Sequence, residues 1–400
     1  NRRVPRYLKT YFIHVPRDLY PKCEKLSRIA GRIYSKTVSF VRKMHRRKGF
    51  WPSEGTTQKY ILRWAGGIGI HTHSKQALVQ EYFEALRSYF ENRKQNTNAK
   101  PPFRTRKYKT FVWKNTAVKL LENGTLKLSL GRNSEPLLIP TKLPNGTEIR
   151  TVRLVYDGTY KLHVTVAFEF EKPHVGEKTC GVDLGIKRLI TAFDDQNVIS
   201  YHGGTLSAKL RYRNKELAKL QSKQSKCQRG SKRWRRLQRA KRSMLKRINN
   251  QVRDILHKVT SYFVGWCLSN RIGTIVVGDI RKIRERVDYN DTANQKIHQW
   301  MYGKLLKMLE EKAKIVGIKL VYVNEAYTSK TCPVCRKQNI VKDRRYKCEC
   351  GFEYHRDGVG AINIFKRYRG KSHVVGVLAS PVGLRSHGVS ISPWKPAVSR

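Results

Sequence analysis

Acidic residues are scarce in this sequence. Its 400 residues carry 29 Asp and Glu against 83 Lys and Arg, a formal charge of +54 at pH 7. Self-repulsion of that size disfavours a compact chain unless a polyanion neutralises it, so nucleic acid is the expected partner. The charge is spread along the whole chain and not held in one patch, which argues against an anionic membrane surface. Long apolar runs are also missing. No stretch of about 18 apolar residues occurs, so neither a transmembrane helix nor a membrane partner is expected. No apolar signal segment is visible in a sequence that begins at Asn1 without Met. Cysteine is sparse, and Cys23, Cys180, Cys227 and Cys267 stand singly. That excludes a disulfide framework and fits a reducing, cytoplasmic setting. The Asn-Gly-Thr sequons at Asn123 and Asn145 then read as hairpin turns. Apolar material is adequate: 39% of the residues are hydrophobic, enough to bury real cores. The length suits roughly two to three domains.

The first segment, RYLKTYFIHVP, alternates like a strand. From Leu19 to Arg47 the pattern turns helical, with Leu26, Ile29, Ile33, Val38 and Val41 on one face. A second amphipathic helix starts at Ser74 as its cap, and Pro101 and Pro102 end that region. Between Lys109 and Glu171 short strands alternate with the turn signals ENGT, LPNGTE and YDGTY, which predicts a small antiparallel β domain. Residues 178–201 then give three strands in hairpin order. A helical hairpin follows, marked by Leu206 to Leu220 on one arm and Trp234 to Val259 on the other. From Lys209 to Arg253 it carries eighteen basic residues and one acid, Glu216, so it reads as a phosphate-facing arm that includes Arg233, Arg235 and Arg236. After it come the apolar strand GTIVVGDI, a helix from Gln299 to Val316, the strand GIKLVYVNE, and a short helix in HRDGVGAINIFKRYR. The last thirty residues predict no element.

Two constellations carry chemistry. Cys332-Pro-Val-Cys335 and Cys348-Glu-Cys350 lie twelve residues apart, the spacing of two knuckles gripping one structural Zn²⁺. Four acids, meanwhile, sit where a basic chain has few to spare. Asp183 ends GVD, Asp279 ends TIVVGD, Glu325 ends KLVYVNE, and Asp357 opens the last helix. Brought together, three carboxylates can hold two Mg²⁺ ions about 4 Å apart and support phosphodiester hydrolysis. Arg356, beside Asp357, is placed either to neutralise a scissile phosphate or to make an ordinary ion pair. Tyr108, Phe111 and Trp113 near Lys107 and Lys109 suggest base stacking among cations, or core packing of a strand.

The order of a three-strand hairpin, strand, helix, strand and helix is that of a ribonuclease H-like fold. GVDLGIKRLITAF, TIVVGDIRKIRER and YTSKTCPVC…YKCECGFEYHRDGVGAINI resemble the three nuclease motifs and zinc ribbon of the TnpB family. That family comprises transposon-encoded RNA-guided nucleases related to miniature type V CRISPR effectors. The similarity runs from about residue 178 to 368, and PPFRTRKYKTFVW shares the family's character.

The resemblance implies an α+β multidomain chain. Residues 1–15 and 109–175 would form a β-barrel wedge domain, and 16–108 a helical recognition domain. Residues 176–327 and 355–368 would form a RuvC-like nuclease with its hairpin insert at 205–265. Residues 328–354 would be the zinc ribbon and 369–400 a flexible tail. It also implies a guide RNA from a transposon end, a target DNA read beside a short adjacent motif, and a prokaryotic, nucleoid-associated location when on DNA. The oligomeric state is open.

One departure matters. The family's second acid is usually Glu at the position occupied here by Asp279, and the position of Glu325 is more often Pro. Either Asp279 substitutes directly, or Glu325 supplies the longer arm from the neighbouring strand; Asp183, Glu325 and Asp357 are favoured, with Asp279 close by. Two rival functions remain at this stage. One is a nuclease-inactive, RNA-guided repressor, disfavoured because the acids are retained. The other is a zinc-ribbon nucleic-acid binder on a decayed transposase fold, which explains the charge but not the four acids.

Overall fold

Two separate hydrophobic cores organise the chain, one in residues 1–171 and one in residues 172–400. The computed structural model describes residues 6–104, 107–131, 134–169, 175–279, 301–340, 344–370, 382–387 and 390–394.

The N-terminal unit opens with β1 (Arg6–His14), followed by α1 (Tyr20–Lys48), α2 (Glu54–Trp64) and α3 (Thr72–Gln95). Pro21 in the first turn and left-handed Gly49 at the C-terminus bound α1. Its apolar stripe of Leu26, Ile33, Val38 and Val41 is buried. Helix α3 starts earlier than the sequence suggests. His71 caps it by accepting the His73 N–H, and Ser74, expected as the cap, lies buried inside the first turn. Arg42 ties the Pro101 and Pro102 carbonyls to α1 at 3.2 and 2.8 Å. Gly31 lets the following segment lie directly on α1, since a Cβ there would stand 2.4 Å from the Lys107 carbonyl oxygen.

Seven strands complete this unit: β1, then β2 (Phe111–Lys114), β3 (Val118–Leu120), β4 (Thr125–Leu128), β5 (Leu137–Pro140), β6 (Glu148–Tyr156) and β7 (Tyr160–Glu169). No pairing among the described residues closes them into the expected barrel. Among the described residues they form two open antiparallel sheets, in the orders β1-β7-β6-β2 and β3-β4-β5. Strands β3 to β5 are only three or four residues long.

The C-terminal unit is built on a seven-stranded sheet of order β12-β11-β8-β9-β10-β15-β16. Strands β8 (Lys178–Asp183), β9 (Arg188–Phe193) and β10 (Val198–His202) form an antiparallel meander. Strand β11 (Ile272–Asp279) runs parallel to β8, and β12 (Lys319–Asn324) runs parallel to β11. Between β10 and β11 stands the hairpin of α4 (Gly204–Ser225) and α5 (Lys232–Ser269). Ser231 caps α5 by accepting the Trp234 N–H at 3.1 Å. Only Leu206 of α4 is buried, and the buried face of α5 begins at Ile248, so the joined ends form a basic arm outside the core. Helix α6 (Tyr302–Val316) joins β11 to β12; Gln299 and the IRKIRER part of the second nuclease-like motif lie outside the described residues.

Alternation divides the sheet's two faces. Cys180, Val182, Ile275 and Val277 join the core under α5 and α6. The opposite face carries α7 (Arg356–Arg369), whose Ala361, Ile362 and Phe365 pack with Phe193 and Val198. Gly181 brings this helix against the strand, since a Cβ there would sit 2.4 Å from the Ala361 carbonyl oxygen. A short hairpin of β13 (Arg345–Lys347) and β14 (Glu353–His355) leads into α7. The C-terminal stretch, expected to hold no element, supplies β15 (Val382–His387) and β16 (Ser390–Trp394). Strand β15 pairs in parallel with β10, whose outer edge would otherwise present unpaired backbone groups.

Candidate active site and metal centre

The register places the acids. Val276 pairs with Gly181 and Val277 with Val182, so Asp183 and Gly278 share the face of the sheet that carries α7. By the same alternation Asp279 points to the opposite face. Gly278 has no side chain, and the side chain of Glu325 crosses the space above it. A Cβ at Gly278 would stand 2.7 Å from Glu325 Oε2 and 2.9 Å from its Cβ. Glu325 therefore reaches from beyond β12 across β11 toward Asp183. Its backbone is clamped. Thr328 donates both its N–H (3.0 Å) and its hydroxyl (2.8 Å) to the Glu325 carbonyl, and Arg367 of α7 donates to the carbonyls of Asn324 and Ala326.

Helix α7 sets the other two acids. Gly360 lies under Asp183, with an added Cβ only 3.0 Å from the carboxyl carbon. Asp357 opens the helix, and its N–H donates to His355 Nδ1 at 3.2 Å. Its carboxylate is gripped by Arg344, whose Nη1 lies 2.9 and 3.0 Å from the two oxygens. The buried Arg188 stands 3.9 Å away and donates to Ser200 Oγ at 2.8 Å.

Negative charge is concentrated here against its own repulsion. Burial, then the charges of Asp357 and Glu325, push the Asp183 carboxyl well above the ordinary range, opposed by Arg356 and Arg344. Burial, then Asp279, push Glu325 up to about 7, opposed by Arg367. Asp183 thus feels Asp357 and Glu325, and Glu325 feels Asp279, but the acids do not form a single-ion cage. Among the described residues, the cysteines alone bring three or more donors within 4.8 Å of one another.

A stability consequence follows from linkage. Glu325 in the folded chain holds its proton more tightly than at its ordinary value of 4.5, so stability falls as pH rises from about 4.5 to about 7. Glu325→Gln should therefore stabilise the metal-free protein at pH 8, by on the order of 2 kcal/mol, and hardly at all at pH 4.5. Thermal melts in EDTA at the two pH values check this; an equal shift at both would contradict it.

The cysteine site is compact. Cys332 Sγ lies 3.7 Å from Cys350 Sγ, and Cys335 Sγ lies 3.4 Å from Cys348 Sγ. Ligands on a tetrahedron with bonds of about 2.3 Å stand about 3.8 Å apart, so four thiolates here could hold one metal ion. Left-handed turns at Arg336 (φ 65°) and Gly351 (φ 85°) shape the two knuckles. Buried Tyr346 fills the space between them, and its hydroxyl donates to the Lys330 carbonyl at 3.1 Å. Helix α7 is joined to this site as well. Val359 packs with Cys332 and Tyr346, and Asn363 Nδ2 donates to the carbonyls of Thr328 and Thr331, each at 2.7 Å.

Among the predicted nucleic-acid contacts, Arg233, Arg235 and Arg236 are exposed and line a cleft of about 550 Å³ on the basic arm. Arg356 stands near Asp183. Lys107 is exposed beside Tyr108, but Lys109 turns inward, where its ammonium lies 3.4 Å from Glu81 and 4.2 Å from the Tyr34 ring centroid. Phe111 and Trp113 belong to the core. Sequence reasoning missed Arg344, Gly278 and Arg188. Only Arg188 left a signal, a cation at the head of the apolar run RLITAF, where a charge taken into the core needs a partner.

Known proteins resemble this chain along the same elements. Residues 159–284, from β7 to β11, match a family model described as a probable transposase. Residues 302–364, from α6 through the cysteines into α7, match the Cas12f1-like TNB domain. A TnpB-like protein of Methanocaldococcus jannaschii is 34% identical over 138 residues, which cover 34% of this chain and 48% of that one. These matches support a TnpB-type protein. The chain spans about half the length of the first such relatives, 48% in that case and 45% for a TnpB-like protein of Acanthamoeba polyphaga mimivirus. A Streptomyces pristinaespiralis protein, provisionally named an RNA-guided DNA endonuclease, is 25% identical over 303 residues, 72% of this chain and 70% of its own. The solved structure of a Cas12f1–sgRNA–target DNA complex shares the fold at a TM-score of 0.60 and 13% identity, covering 87% of this chain and 83% of that one.

Proposed function

We propose that this TnpB-type chain is an RNA-guided DNA endonuclease that cuts by metal-dependent phosphodiester hydrolysis at a guide-complementary site beside a short adjacent motif. The observation that carries the reading is Glu325 lying over Gly278, on the same face as Asp183 and under the helix whose first turn carries Asp357. Asp183, Glu325 and Asp357 would hold Mg²⁺, the hard cation that carboxylate oxygens suit. When bound, such a cation supplies an activated water and charge stabilisation at the leaving oxygen. The chain's own residues do the rest. Gly360 leaves room for the Asp183 carboxyl, Arg367 clamps the backbone on either side of Glu325, and Arg344 holds the Asp357 carboxylate.

On this reading residues 176–327 and 355–368 form the RuvC-like nuclease, with 205–265 as its inserted basic arm. Residues 328–354 form a zinc ribbon that uses Cys332, Cys335, Cys348 and Cys350. The N-terminal unit supplies the wedge and recognition domains. Arg233, Arg235 and Arg236 face phosphate, Arg356 offsets charge near Asp183, and sequence choice lies in pairing between a transposon-end guide RNA and its target.

Purification with and without ribonuclease tests the partner. RNA of one size should copurify, and its removal should abolish binding to matched DNA. Protein that recovers without RNA would overturn the reading. RNA-dependent DNA binding without cutting would favour a repressor.

A further inference from the structure

The N-terminal unit holds a cavity of about 700 Å³ that neither the carboxylates nor the cysteines use. That volume falls within the roughly 300–1,000 Å³ of small-molecule sites. Its floor is the first turns of α1, where Tyr20 and Glu24 stand one turn apart. One wall is the end of the β6–β7 hairpin, carrying Tyr156 and Tyr160, and the other is Tyr108. The backbone N–H of Lys109 donates to the Ser27 carbonyl at 3.0 Å, which pins the Tyr108 wall to α1.

The lining is aromatic and already set. The Tyr20 and Tyr160 rings meet edge to face at 5.1 Å, and the Tyr20 hydroxyl accepts the Tyr160 N–H at 3.3 Å. Tyr156 lies against Tyr160 at 4.9 Å and is 63% exposed, so its ring can receive a stacking partner without displacing the core. One acid sits among these rings. Glu24 Oε1 accepts from the Tyr108 hydroxyl and from Arg28, each at 2.7 Å, and these bonds hold its carboxyl below the ordinary range. An ionised carboxylate only accepts hydrogen bonds, and both of these end on Oε1, which leaves Oε2 to a ligand's donor. Cations stand at the rim: Arg28 lies 5.6 Å and Lys107 5.1 Å from the Tyr108 ring centroid.

We infer that this cavity is a nucleobase pocket: it takes one unstacked base bearing an exocyclic amine, stacks it on the tyrosines, and reads the amine with Glu24. The rim cations then meet the phosphate that the base carries. An apolar ligand would leave Glu24 buried against carbon, and a bare anion would meet its charge. A base has a π-face for the rings, a donor edge for the acid and a phosphate for the rim. Adenine, cytosine and guanine offer the amine. Uracil and thymine do not, because carbonyls that Glu24 repels flank their one ring N–H. The inference rests on nucleic acid being the partner, as proposed above.

The test uses the full chain and the four ribonucleoside 5′-monophosphates, titrated by calorimetry near physiological salt. All four carry the same phosphate, so non-specific attraction to a basic protein is equal among them. AMP, GMP and CMP should bind about tenfold or more tightly than UMP. Tyr156→Ala, at an exposed position, should weaken AMP and GMP about tenfold. Glu24→Gln should remove the discrimination against UMP while its amide keeps the Tyr108 contact. Equal affinity for all four, no binding at millimolar nucleotide, or unchanged affinity in Tyr156→Ala would each overturn the pocket. Guided cleavage by the unmutated chain is read separately. Cutting without nucleotide binding sinks the pocket alone, and nucleotide binding without cutting sinks the nuclease reading alone.

Discussion

Glu325→Ala should lower guided DNA cleavage by about a thousandfold or more, whereas Asp279→Ala should keep the rate within about tenfold. Both acids end or follow neighbouring strands, and sequence resemblance alone would put Asp279 at the place of the second acid. Side-chain direction separates them. Asp279 follows Gly278 and so faces away from Asp183, while Glu325 lies across the gap that Gly278 leaves. A residue on the wrong face cannot share an ion with Asp183 unless the strand end turns over. The rates are read on plasmid DNA with guide-loaded protein, and thermal melts of both variants show that they fold. Full activity in Glu325→Ala together with loss in Asp279→Ala would reverse the assignment.

Removing the metal from the cysteine site should be nearly as damaging, by a different route. Metal at such a site is worth on the order of 10 kcal/mol to a small ribbon. Here the loss would not stay local. Cys332, Tyr346 and Val359 share one small core, and Asn363 bonds to the loop that leads into the first knuckle. Loosening the ribbon therefore loosens the first turns of α7, where Asp357 and Gly360 stand. Cys335→Ser should reduce bound zinc from one per chain to near none, lower the melting temperature of the C-terminal unit by several degrees, and cut the cleavage rate at least about a hundredfold. Elemental analysis, calorimetry and the plasmid assay read the three effects. A variant that loses zinc but keeps both melting temperature and rate would show that α7 does not depend on the ribbon.

Much of the candidate site is legible in the sequence because it is punctuated. Asp183, Asp279 and Glu325 each stand at or just past the end of a short apolar strand, and Asp357 opens a helix, so a chain poor in acid marks its own carboxylates. The cysteine pairs are as plain. What stayed hidden depends on register and on contacts between distant residues. Nothing local says that Gly278 clears a path for Glu325, because that requires knowing which residues of β8 and β11 pair. Arg344, in a run of cations, looks like its neighbours until the fold brings it to Asp357. Lys109 reads as a nucleic-acid contact among aromatics and turns inward because Glu81 of α3 waits there. Helix α2 escaped notice because only Thr57 and Ile61 of it are buried, too few to set a period. Strand β15 is defined by the open edge of β10 and not by its own composition.

One measurement bears most directly on the account: guide-loaded protein incubated with plasmid carrying the matched sequence, in Mg²⁺ and in EDTA. The account predicts cut plasmid in Mg²⁺ only, none with Asp183→Ala, and none with a mismatched guide. Cutting that persists in EDTA or in Asp183→Ala would contradict it, as would matched DNA that is bound in Mg²⁺ and left intact.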